Sequence, residues 1–128
     1  MIKKHLNLLW IFFSFLLINF FCFSQPCVCT LKDAEKHNEE FCKVKGLVSE
    51  IICKTNNGKN MVFLNMGNKY PHQDLTVVIT GKNLENFSKP LDILFKNKTI
   101  LIYGMIKLYH GRPIIIIRKE SDIEIINP

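Results

Sequence analysis

From Phe41 onward the apolar residues come in short strand-like runs separated by strong turn signals, and only one stretch, Gly81 to Phe95, departs from that pattern. Such runs cannot bury their apolar faces singly, so they must pair into a sheet that closes over a core. The first run extends from Phe41 to Cys53, with Gly46 inside it as the expected position of a bulge or bend. Thr55 to Asn60 is a turn, because Asn57-Gly58 tolerates the positive φ angles of a tight hairpin. Met61 to Asn65 forms a second strand, and the polar connection Gly67 to Gln73 carries Tyr70-Pro71. Asp74 to Thr80 is the third strand, with Leu75, Val77 and Ile79 on one face and Thr76, Val78 and Thr80 on the other. Thr99 to Leu108 and Ile114 to Arg118 supply the fourth and fifth, joined by the turn Tyr109 to Pro113. A last apolar stretch, Ile123 to Ile126, either extends or flanks the barrel.

Within Gly81 to Phe95 the apolar residues Leu84, Phe87, Leu91, Leu94 and Phe95 return at three-to-four spacing, and Pro90 divides the segment into two short helical pieces. Three strands, a short helical link and two more strands is the layout of the five-stranded OB barrel. An SH3-like barrel lacks the mid-chain link, and a lipocalin needs more strands. The expected fold class is therefore all-β with minor α, one OB barrel over residues 41–128. Residues 25–40 precede it as a segment with a short helix, for which Thr30 is the N-cap and Asp33 an acidic first-turn residue.

Residues 1–24 read differently. Lys3 and Lys4 start the chain, and Leu6 to Phe23 is almost wholly apolar, as in the basic and apolar regions of a secretory signal peptide. Cleavage after Ser24 is expected, which makes the protein periplasmic or secreted and leaves no membrane contact. The alternative is an uncleaved segment that anchors the chain. Loss of Lys3 and Lys4 lowers the formal charge from +6 to +4, compatible with phosphate partners and equally with plain solubility.

Export gives the cysteines their context. Cys27, Cys29, Cys42 and Cys53 remain after cleavage, an even number that suggests disulfides in an oxidising compartment. Cys42 and Cys53 lie on one long strand, too far apart to bridge, and Cys27 and Cys29 are too close. The Cys-Val-Cys segment is therefore expected to be tied to the first strand through Cys42, Cys53 or both. Cys27, Cys29, Cys42 and His37 also offer metal-type donors, but their spacing is unlike Cys-x-x-Cys sites, and disulfide is the expectation over zinc.

The runs FCKVKGLVSEI, FLNMGNKYPHQDLTVVI and KTILIYGMIKLYHGRPIIII resemble a family of small bacterial OB-fold domains described as nucleic-acid binders, some standing alone behind a signal peptide and others fused to secreted nucleases. The phrases FLN-x-G-x-x-YP and Tyr-x-Gly-Arg-Pro carry the resemblance, which covers about residues 33 to 126. It implies an OB barrel with a nucleic-acid ligand. The chain lacks a cysteine in the fourth strand, KTILIYG, so no family disulfide pattern transfers.

OB barrels bind across the face of strands two and three, between the first and last hairpin loops. Single strands need π faces for bases and cations for phosphates. The first loop offers Lys54, Asn56, Asn57 and Lys59; the face and its connection offer Phe63, Asn65, Tyr70, His72 and Thr76; the last hairpin offers Tyr109, His110 and Arg112. Phe63 reads as a core residue or a stacking one, since its strand is apolar on both faces. Asp74 is the only acid expected near the groove, so no general acid–base pair can be named and no cofactor or catalysis is expected. These residues point to a noncatalytic module for single-stranded DNA or RNA with low sequence specificity. The alternative is a domain that uses the same groove for a protein or glycan.

Overall fold

The computed structural model describes Gln25 and residues 27–127; the signal segment and its cleavage point lie outside the described residues. Seven strands form one sheet: β1 (Cys27–Thr30), β2 (Phe41–Asn56), β3 (Lys59–Met66), β4 (Leu75–Thr80), β5 (Thr99–Tyr109), β6 (Arg112–Ile116) and β7 (Ile123–Asn127). Their order is β1-β2-β3-β4-β6-β5-β7, and an additional β2–β5 pairing brings the sheet round into a partly closed ring. Two strands thus stand beyond the five that the sequence suggests. β1 adds to β2 in parallel, and β7 adds to β5 antiparallel.

β2 makes the ring possible because it serves two neighbours in turn. Phe41 to Leu47 pairs with β5, and Val48 to Asn56 pairs with β3. The change-over coincides with a register shift between Val48 and Glu50. A bulge at this point bends the strand and increases its twist, which turns it from one half of the sheet to the other. Gly46, the expected bulge, instead pairs in register with Ile100. Its lack of a side chain has another cause: a Cβ there would lie 2.5 Å from Leu31 Cδ1. The N-terminal segment packs where that side chain would stand.

Both tight hairpins follow from local sequence. Asn57 and Gly58 have φ 51° and 74°, and His110 and Gly111 have φ 50° and 75°. Two positive-φ residues in a two-residue loop match the right-handed twist of the flanking strands. The first hairpin joins β2 to β3 at Asn56 and Lys59, the second β5 to β6 at Tyr109 and Arg112.

The inward faces supply Val44, Val48, Leu64, Met66, Leu75, Val77, Ile79, Ile100, Ile102, Ile106 and Ile115, all fully buried. Short helical turns at Gly81–Leu84 and Leu91–Phe95 connect β4 to β5. Phe95 is buried in the core and meets Phe87 edge-on at 6.2 Å between ring centroids. The N-terminal helix is a 3-10 turn, Leu31–Lys36, shorter than expected because Glu39 has φ 64° and Phe41 already begins β2. Thr30 gives its hydroxyl to Asp33 Oδ2 at 3.0 Å rather than to the backbone. Ala34 and Leu31 hold this turn onto the core.

Candidate functional site

Cross-strand register determines which side chains share the outer face of β2, β3, β4 and β6, because residues paired across a ladder project to the same side. Lys54, Met61 and Thr80 form one row, and Ile52, Phe63, Val78 and Ile116 the next. Glu50, Asn65, Thr76 and Ile114 form the third. The inner neighbours Val62 and Leu64 belong to the core, whereas Phe63 does not. Between core and stacking, the structure places Phe63 outward, half-buried, with Lys54 Nζ 5.6 Å from its ring centroid. Ile116 extends the apolar row and is 47% exposed.

Apart from Ile114, the third row is a polar network. Asn65 Nδ2 donates to Glu50 Oε2 at 3.1 Å, and the Tyr70 amide donates to the same oxygen at 2.9 Å. Thr76 Oγ1 donates to Asn65 Oδ1 at 3.1 Å, and Gln73 Nε2 reaches Thr76 Oγ1 at 3.4 Å. Asn65 and Thr76 are buried, so both form the floor of the face with their polar atoms in use. The donors aimed at Glu50, the Tyr70 amide first and Asn65 second, hold its carboxyl below the usual carboxylate range. Glu50 is thus an acid on the face that the sequence did not suggest. Its place depends on the bulge at Val48, which no local signal announces.

Above this row the connection between β3 and β4 meets the last hairpin. Arg112 Nη1 donates to the Pro71 carbonyl at 2.6 Å. Tyr70 and Tyr109 project outward, 66% and 64% exposed, and His110 packs edge-on against Tyr109 at 4.3 Å between centroids. His72 is exposed on the same connection. At the opposite end, Asn57 in the turn and Lys59 beside it are exposed. The candidate residues therefore form two solvent-facing ends, one basic and one aromatic, joined by Phe63 and its apolar row. From Lys59 to Asn65 along β3 the face spans about 20 Å at the rise of a strand.

The cysteines depart from expectation. All four described thiols are free, and Cys53 is exposed near the β2–β3 hairpin, away from the other three. The expected bridges from Cys27 or Cys29 to Cys42 or Cys53 are not shown, and of the two β2 cysteines β1 lies beside Cys42. Cys27 and Cys42 are register partners in the parallel β1–β2 ladder, but Cys27 Sγ lies 3.3 Å from His37 Nδ1. That nitrogen is 2.7 Å from Glu40 Oε2. Burial first, then hydrogen bonding with Cys27 and the nearness of Cys29, push the Cys42 thiol well above its ordinary range; burial also raises Cys29.

No family model matches the chain, and no curated protein matches it significantly. Among solved structures it is similar to yeast Stn1 and Ten1, with TM-score 0.57 and 14% identity over 83% of this chain. It is also similar to a protein named as an aspartyl-tRNA synthetase from Leishmania major Friedlin, with TM-score 0.51 and 8% identity over 84% of this chain. It spans 65% of the length of the first and 22% of the second. A lipoprotein from Klebsiella pneumoniae, named for nucleic-acid binding, aligns over 76% of this chain and 78% of its own, at TM-score 0.46 and 14% identity. At these identities the first two likenesses establish the fold alone, which is OB-like.

Proposed function

We propose that this protein is an exported, noncatalytic OB-fold module that binds single-stranded DNA or RNA along the outer face of β2, β3, β4 and β6. The observation that carries this reading is the outward display of Phe63 beside Lys54, in line with the aromatic end formed by Tyr70 and Tyr109. Bases stack on such rings whatever their identity, and cations beside them take the phosphates. Lys54, Lys59 and Arg112 supply the cations, the last with guanidinium donors beyond the one given to Pro71.

Low sequence preference follows from the same geometry. Reading a base edge needs free donors and acceptors, yet Asn65, Thr76 and Glu50 are engaged with one another and with Tyr70. The engaged, depressed carboxyl of Glu50 is also poorly matched to general acid work near neutrality. In this reading residues 1–24 direct export and are removed after Ser24, and the module meets nucleic acid in the periplasm or outside the cell.

Fluorescent single-stranded oligonucleotides titrated against the protein over a salt series test the proposal. Binding that weakens steeply with salt is expected, through release of counterions from the phosphates. An absence of binding at low salt overturns it. Tyr109→Ala with Arg112→Ala is expected to reduce affinity while the barrel stays folded by circular dichroism; unchanged affinity removes the last hairpin from the site.

A further inference from the structure

The donors of Cys27, His37, Glu40 and Cys42 all lie within 4.8 Å of one another, brought together from β1, the end of the 3-10 turn and the start of β2. Two thiols, an imidazole and a carboxylate form a donor set suited to a borderline-soft divalent ion. We propose that these four side chains bind Zn2+ as a tetrahedral site that staples the N-terminal segment to the barrel.

The distances fit that chemistry. Zinc–sulfur bonds of about 2.3 Å and zinc–nitrogen or zinc–oxygen bonds of about 2.0 Å imply tetrahedral donor separations of roughly 3.3 to 3.8 Å. Cys27 Sγ and His37 Nδ1 already stand 3.3 Å apart. His37 Nδ1 and Glu40 Oε2, at 2.7 Å, need to part by about half an ångström. Exposure also fits: Cys42 is buried at the base, whereas the side chains of His37 and Glu40 are 30% and 53% exposed, so an ion enters from the solvent side.

The arrangement discriminates between zinc and the other uses of a thiol beside a histidine. A nucleophilic thiol and an orienting acid engage opposite nitrogens of the imidazole, so that a proton can pass through the ring. Here Cys27 and Glu40 both converge on Nδ1. The four donor atoms also lie within 4.8 Å of one another, as ligands around a common centre do. Binding releases the two thiol protons and leaves two thiolates, a neutral imidazole and a carboxylate on the ion.

A staple at this position has a mechanical consequence. β1 is four residues long and pairs only with β2 among the described strands. Closing the site links Cys27 to Cys42 through the ion and fixes the intervening turn, which supplies what a disulfide supplies in other small exported domains. This inference is independent of the nucleic-acid reading, because no residue of the groove takes part.

The test uses the full-length chain, isolated under reducing conditions and stripped with chelator. Co2+ is the spectroscopic probe, and Zn2+ the competitor. One equivalent of Co2+ is expected to give thiolate-to-cobalt charge-transfer bands with strong tetrahedral d–d absorption, all abolished by Zn2+. Cys27→Ser and His37→Ala are expected to weaken Zn2+ binding on the order of 100-fold, and Cys53→Ser to leave it unchanged. Cys27 and His37 are only partly buried, so these variants keep the test valid where Cys42→Ser fails to fold. Absence of thiolate-to-cobalt bands overturns the proposal, as does an unchanged Zn2+ affinity in both Cys27→Ser and His37→Ala. A Cys27–Cys42 disulfide found by peptide mass mapping in protein grown with ample Zn2+ overturns it as well.

Discussion

The two halves of β2 face different chemistry. Before the bulge, residues Phe41 to Val48 alternate strictly between exposed and buried, with β1 paired beside Cys42 and Val44 in the sheet and the 3-10 turn packed on the core through Ala34 and Leu31. Beyond it, Glu50, Ile52 and Lys54 look outward onto a face that β3, β4 and β6 extend and that the Tyr70-Pro71 connection reaches at Glu50. One half carries converging donors in a covered corner; the other carries an open row of rings and cations. The difference teaches that a strand long enough to serve two neighbours can hold two unrelated sites, and that the bulge keeps them apart.

Separate readouts can break that comparison. His37→Ala is expected to weaken Zn2+ binding on the order of 100-fold, about 2.7 kcal/mol, while oligonucleotide affinity stays within about twofold. A parallel loss of both, measured by cobalt competition and fluorescence anisotropy, merges the two regions into one. Phe63→Ala is expected to lower oligonucleotide affinity by about 1 to 3 kcal/mol, the usual worth of one stacked base, with Zn2+ binding intact. Gly46→Ala places a methyl against Leu31 and is expected to cost about 1 to 2 kcal/mol of stability in denaturant melts, with metal affinity falling more than groove affinity. The smallest effect belongs to Glu50. Its pKa is lowered on folding from 4.5, so its stabilising contribution is fully present above that value and is lost as pH falls through the folded pKa. Glu50→Gln should flatten this acid-side decline in thermal melts, and an unchanged pH profile assigns the decline to other groups.

Much of the fold was legible because turns and strand runs are local. Asn57-Gly58 and His110-Gly111 carry their hairpins in two residues each, and the alternation in Leu75 to Thr80 assigned both faces of β4 correctly. β1 escaped notice because Cys27 to Thr30 is a four-residue edge strand whose pairing is with a segment beginning at Phe41. The site was legible in part. Tyr109, Arg112 and Lys54 follow from hairpin position alone, whereas the outward turn of Phe63 needed register, since every neighbour in Met61 to Leu64 is apolar. Asn65 and Thr76 looked like ligand contacts and are buried partners of one another instead.

The cysteines mark the boundary between the two kinds of information. By itself the sequence determined that two tight hairpins must form and that the chain must close a sheet around aliphatic side chains, and it left the Cys-Val-Cys segment to meet Cys42, Cys53 or both. Those outcomes rest on spacing, period and backbone preference within a few residues. Tertiary structure alone decided that His37 Nδ1 sits between a thiol and a carboxylate, that Gly46 admits Leu31, and that the bulge at Val48 turns Glu50 onto the groove. The reason is physical: distances of a few tenths of an ångström between side chains depend on packing that many remote residues fix together, and no local pattern encodes them.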